Sequence, residues 1–238
     1  MLDNLRDYPR EIFNMLYQDY SDGILSGCRL EVREGKLILC PGMLCYRKIP
    51  YLLTEKYEIS CRADGRLRYL KVRFYDKTVG ADGEEYLSNI LLEEEAAEEG
   101  YEMELARFTL QDGARLRTDY VDFYDFETAY DTVNLIHAPY ASPGRSSISP
   151  QITDAFMEAL LKLSPHNSWD QALCMGSMGQ GTIPAEKLRA YLNVRLEQEK
   201  NRYTNEEAYS ALKRILRQAA GGVAEDEERQ GERKLMLF

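Results

Sequence analysis

His137 and His166 are the two histidines of the chain, so any reaction needing an unperturbed base near neutral pH would have to use one of them. His137 follows the apolar pair Leu135-Ile136, and His166 stands where a helix is expected to start. Neither has a nucleophile or carboxylate at a catalytic spacing, and the chain contains no G-x-S-x-G elbow and no H-E-x-x-H helix, so both are read as structural. The carboxylates Asp119, Asp122 and Asp125 recur every third residue in TDYVDFYDF. That spacing would suit calcium or a glycosidase pair, but the glycine turn and terminal glutamate of a calcium loop are missing. They are read as solvated positions between buried aromatic rings.

The run Met175-Gly176-Ser177-Met178-Gly179-Gln180-Gly181-Thr182 invites comparison with a phosphate loop. It lacks the lysine such a loop needs and follows a helical pattern rather than a strand, so a helix end and a connection are expected instead. Five cysteines (Cys28, Cys40, Cys45, Cys61, Cys174) form no C-x-x-C pair and no Cys/His cluster. Reduced core thiols are expected, with no zinc. No catalytic residue, cofactor site or metal site is assigned, and the expectation is a protein that is not an enzyme.

The elements that would position these residues fall into three regions. Residues 1–21 hold an N-terminal helix, from about Pro9 to Tyr20, with Ile12, Phe13, Leu16, Tyr17 and Tyr20 on one face and Gly23 as its stop. Residues 22–138 are β-rich: Leu70, Val72 and Phe74 alternate with Lys71 and Arg73, and Met103 and Leu105 alternate with Glu102 and Glu104. Asp64-Gly65, Asp82-Gly83 and Asp112-Gly113 punctuate them as hairpin turns. The stretch Glu93–Gly100, rich in glutamate, is expected to be a hairpin tip.

Residues 139–148, rich in Pro, Gly and Ser, form a linker. Residues 149–220 are helical, with Ser149-Pro150 and Ser164-Pro165 as N-cap and first-turn pairs. A helix over about Pro184–Lys200 follows, and a last one opens at Thr204 with Glu207 completing a capping box and stops at Gly221-Gly222. Residues 221–238 are expected to be a disordered tail. The fold class is therefore α+β: a short N-terminal helix, an antiparallel β-sandwich or barrel-like domain, and a small C-terminal helical domain.

The formal net charge of −10 argues against binding nucleic-acid phosphates. Charge is uneven: Asp76–Asp131 carries seventeen acids against four bases, and Pro184–Arg217 eight bases against five acids. No apolar run reaches membrane-spanning length, and the N-terminus has no apolar core of a secretory signal.

Two stretches resemble one family of proteins. DGILSGCRLEVREGKLILCPGMLCYRKIPYLL is similar to the entry segment of bacteriophage tail and baseplate structural proteins, through Asp22, Gly23, Ile24, Leu25, Ser26, Gly27, Leu37, Ile38, Pro41 and Gly42. YEMELARFTLQDGARLRTDYVDF resembles a later segment of such proteins, through Leu105, Ala106, Phe108, Gly113 and Asp119. The likeness spans residues 22–125 and departs at Arg47-Lys48-Ile49-Pro50, where a small polar or glycine-containing turn is the pattern. Asp22, Gly23, Gly27, Pro41, Gly42 and Gly113 are its structural turn residues.

The resemblance implies a non-enzymatic assembly component of a prophage tail, baseplate or related injection particle. Such a protein is made in the bacterial cytoplasm without a signal peptide and then joins the particle. Its partners would be other subunits, with itself among them, and no cofactor or membrane insertion is implied. The competing reading is a module that binds or processes cell-wall glycan, with Asp119–Asp125 and the tyrosines lining a groove.

Overall fold

A computed structural model describes residues 2–75, 78–80, 83–85, 87–163 and 167–235, of which 2–7, 9–10, 78–80, 83–85 and 222–235 are described by their backbone alone. The chain opens with helix α1 (Leu2–Tyr17). Among the described residues eleven strands follow: β1 (Gly23–Gly27), β2 (Leu30–Arg33), β3 (Lys36–Leu39), β4 (Gly42–Tyr46), β5 (Ile49–Leu53), β6 (Tyr57–Ser60), β7 (Leu67–Phe74), β8 (Thr78–Gly80), β9 (Gly83–Glu85), β10 (Ser88–Glu93) and β11 (Glu102–Thr109). A 3-10 helix (Phe123–Glu127) leads into α2 (Pro150–Lys162), α3 (Ser168–Met175), α4 (Ala185–Leu196) and α5 (Asn205–Leu235). The class is α+β, with antiparallel sheets and a C-terminal helical region, as the alternating and helical patterns indicated.

The strands make three antiparallel three-stranded sheets, in the orders β1-β4-β5, β2-β3-β6 and β10-β7-β11, and β8 and β9 pair as a hairpin. One continuous cluster of buried side chains runs from Ile24 through the sheets to Leu216 of α5. Phe123 of the 3-10 helix joins the two regions: its ring stacks on Tyr209 at 4.8 Å and meets Phe156 edge-on at 5.7 Å, and Tyr209 Oη donates to its carbonyl at 2.8 Å. The segment read as a linker is tied to β1, with Ile24 N donating to Pro139 O at 2.8 Å and Ala141 N to Ile24 O at 2.9 Å.

Several boundaries differ from the expectations. Helix α1 begins seven residues before Pro9, although a proline inside a helix forfeits one hydrogen bond and crowds the carbonyl four residues back; α1 ends at Tyr17, and Tyr20 instead bridges to Pro143. Asp64-Gly65 makes no hairpin but links β6 and β7, strands of different sheets. Asp82 and the Ser164-Pro165 pair lie outside the described residues, and α3 is capped by Asn167, whose side chain accepts from Trp169 N at 2.9 Å. The α5 capping box forms as expected, with Thr204 N donating to Glu207 and Glu207 N to Thr204 Oγ1. The α5 backbone runs on past Gly221-Gly222 to Leu235.

The largest difference concerns the acidic stretch. Strands β10 and β11 do not pair with each other; each pairs antiparallel with β7, on opposite sides. They therefore run parallel, and residues 94–101 must cross over β7 rather than turn back as a hairpin tip. Lys71 is the post beneath this crossover. Its Nζ, 2% exposed as a residue, lies 2.9 Å from carboxylate oxygens of both Glu93 and Glu102 and donates to the carbonyls of Glu95 and Ala96. Glu102 also accepts from Arg73 Nε at 2.8 Å and from Glu98 N at 2.8 Å. Burial alone would raise the Glu102 carboxyl, but the Glu98 N–H and the two cations hold it below its ordinary value.

Candidate functional site

Of the turn residues nominated from the sequence, Gly23, Gly27 and Gly42 lie where one stretch of backbone passes close to another. Gly23 has φ +147°, and a Cβ there would stand 2.6 Å from Ala141 N, so any side chain would force β1 away from residues 139–141. Gly27 and Gly42 face each other as register partners of β1 and β4, beside Pro41, and Cys28 N donates to Pro41 O at 3.1 Å. Gly113 turns the chain after β11 with φ +77°.

Asp22 accepts from Arg47 N at 2.7 Å. Arg47 and Lys48 are the two turn residues of the β4–β5 hairpin, both with positive φ (48° and 65°). Distant groups hold this unfavourable turn. Arg47 reaches Gly100 O at 2.6 Å, and Lys48 Nζ reaches the carbonyls of Gln18 and Tyr20 at 2.7 and 2.6 Å. The hairpin thus clamps the end of α1 to the acidic crossover.

The aspartate triplet divides by role. Asp119 is exposed, and Asp122 caps the 3-10 helix by accepting from Tyr124 N at 2.8 Å and Asp125 N at 3.2 Å. Asp125 accepts from Arg117 at 2.6 and 2.5 Å, from Val121 N at 2.9 Å and from Thr128 Oγ1 at 2.9 Å. A carboxylate has about four acceptor sites, and all are filled. The Arg117 fork, reinforced by the other donors, lowers its pKa to about 2.

The glycine run after α3 turns the chain, with φ +70° at Gly179 and +86° at Gly181. Lys187 Nζ donates to Gly176 O at 2.8 Å, and Gly179 N points at the Asp154 carboxylate at 3.5 Å, an arrangement that suits a turn and opposes an anion. All five cysteines are free thiols, and burial pushes Cys28 up to about 12. His166 lies outside the described residues. No group of three or more His, Cys, Asp and Glu among the described residues is arranged to hold a metal ion, and no helix among them is long and apolar enough to cross a membrane.

Two surfaces remain. Tyr8, Ile12, Met15 and Leu16 follow helical spacing on α1, and all four are exposed, Met15 at 72% and Leu16 at 65%. Sequence periodicity placed Ile12 and Leu16 on one face with Phe13 and Tyr17, without saying what covers that face. Phe13 and Tyr17, tilted against each other at 4.8 Å, are the half-buried side of the helix.

The second surface is a cleft of about 790 Å³. Its walls are the residues before β1, the 137–148 segment, the start of α4 and the start of α5. His137 lines it, half-buried, and burial followed by nearby Arg107 pushes its imidazole below the ordinary value, toward the neutral form. Arg145, Arg189 and Arg202 line it from the segment and the helices, and Asp22 and Glu99 from the sheet side. No motif in the sequence marks this cleft, because its residues come from five separate segments.

Comparison with known proteins gives no match to any protein-family model, curated protein or solved structure.

Proposed function

We propose that this chain is a non-enzymatic assembly protein, a component of a prophage tail, baseplate or related injection particle, that works by docking on neighbouring subunits. The observation that carries the reading is the exposed apolar stripe of α1. Exposing four large apolar side chains on one helix face is costly in water, and laying that face into an apolar groove of a neighbour recovers the cost. The clamp of Arg47 and Lys48 on the end of α1 supports it, since it fixes where the helix leaves the body. The likeness of residues 22–125 to tail and baseplate proteins supplies the class of particle.

The glycan reading leaned on Asp119, Asp122 and Asp125. Asp122 spends its Oδ1 on the 3-10 helix, and Asp125 spends both oxygens on Arg117, Val121 N and Thr128, which favours a scaffold role for both.

The test is size-exclusion chromatography with light scattering on the chain alone and mixed with the products of adjacent genes. Association with itself or with one of them is expected, and Met15→Glu should weaken it by at least about tenfold, the scale of burying one charged group in an apolar contact. A chain that stays monomeric and binds none of them overturns the proposal.

A further inference from the structure

The cleft between the helices and the sheet side has the features of a small-ligand site. Its volume of about 790 Å³ lies within the roughly 300–1,000 Å³ range of such sites. Its charges are arranged by side. Arg189 pairs with Glu186 at 2.8 Å, and Arg145 lies 3.9 Å from the same carboxylate while its Nη1 donates to Asn201 O at 3.0 Å, which leaves its other nitrogens open. Arg202 has no hydrogen-bond or ion-pair partner among the described residues and adds a further cation on that side; Glu206, at the start of α5, is the other acid there. On the sheet side stand Asp22 and Glu99, and Glu99 is likewise unpartnered among the described residues.

The start of α4 opens into the same cleft. Its N-cap is Pro184, which supplies no side-chain acceptor; among the described residues the Ser142 hydroxyl accepts from Ala185 N at 3.1 Å, and Glu186 is the acid of the first turn. By helix geometry the next two N–H groups carry the positive end of the dipole, where a carboxylate or phosphate is stabilised. Ser147 is an independent pointer: it lines the cleft, is 3% exposed, and its Oγ has no hydrogen-bond partner among the described residues. Its Oγ is closed to solvent as it stands, a condition that costs about 1–3 kcal/mol, and turning the side chain toward the cleft would give it a partner on a bound polar group.

A multiply charged anion fits poorly, because Asp22 and Glu99 would repel it. We propose that the cleft binds a short free peptide in zwitterionic form, its carboxylate on Arg202, Arg145 and the open first turn of α4, and its ammonium group toward Asp22 and Glu99. The site is separate from the α1 surface and does not depend on the assembly reading.

Isothermal titration calorimetry with tri-alanine, its N-acetyl form, its C-terminal amide and inorganic phosphate tests it on the full chain. Saturable binding of tri-alanine is expected, and blocking either end should weaken it by about tenfold or more. Arg202→Gln should weaken tri-alanine similarly while changing the amide little, and Glu99→Gln should do the same for the acetylated form. Both residues are exposed, so an unchanged urea midpoint will show that the variants are folded. No heat with tri-alanine up to about 10 mM, equal binding of blocked and free peptides, or phosphate binding as tightly as the peptide would each overturn the proposal.

Discussion

The charges beneath the acidic crossover and those around the cleft are the same residue types in opposite conditions. Under the crossover, Lys71, Arg73, Glu93 and Glu102 are mutually paired, and the nearby backbone carbonyls are used as well. Around the cleft, Arg202 and Glu99 are unpaired among the described residues, and Glu186 is shared by two arginines. Closed pairing of that first kind builds structure, because removing any partner strands the others in a poorly solvated place. Charges left open on a concave surface cost little where they stand and remain available to a ligand.

If that contrast is correct, the two regions will respond differently to substitution. The largest effect belongs to Lys71→Met, which keeps the apolar stem but leaves Glu102 and Glu93 with Arg73 alone. A loss of about 3 kcal/mol in urea unfolding is expected, and Lys71→Met with Glu102→Gln should recover part of it. A loss below about 1 kcal/mol would mean that the crossover charges are not closed off.

Next comes Asp125→Asn, at about 2 kcal/mol near neutral pH, since it breaks the Arg117 fork and two further hydrogen bonds. Its folded pKa of about 2 lies below the ordinary aspartate value of about 3.9. The contribution is therefore complete above pH about 4 and is lost as the pH falls from there toward about 2. Stability measured across that window should fall in the native chain and fall less in Asp125→Asn.

Thr204→Ala removes one arm of the α5 capping box and should cost about 1 kcal/mol. Smallest are Arg202→Gln and Glu99→Gln, expected within about 0.5 kcal/mol because neither side chain is paired. A large loss from either would place the cleft among the structural charges and erase the contrast.

Much of the fold was legible in the sequence where the signal is local. The start of α2 at Ser149-Pro150 (though the Ser149 hydroxyl makes no capping bond), the Thr204/Glu207 box and the alternation of Leu70, Val72 and Phe74 each depend on neighbours in the chain. The acidic crossover was not legible, because alternation tells which side chains share a face but not which strand lies beside which. Once β10 and β11 flank β7, the polar face bearing Lys71 has to be covered, and the glutamate-rich segment covers it. The left-handed Arg47-Lys48 turn was hidden for a related reason: its residues do not favour that conformation, and the groups that hold it are 25 to 53 residues away in the chain. The α1 stripe was visible as periodicity, but periodicity cannot say whether a face is covered by its own chain or by another.

That last point is where the assembly account is most exposed. A helix the length of α1 is marginal in water unless its apolar face is packed, so docking should change how its amides exchange with solvent. Hydrogen exchange on residues 8–17 of the chain, alone and in the presence of the adjacent gene products, measures this directly. The account predicts rapid exchange alone and at least about tenfold slowing when the neighbour, or a second copy at high concentration, is bound. Unchanged exchange across α1 while a neighbour is demonstrably bound would contradict it.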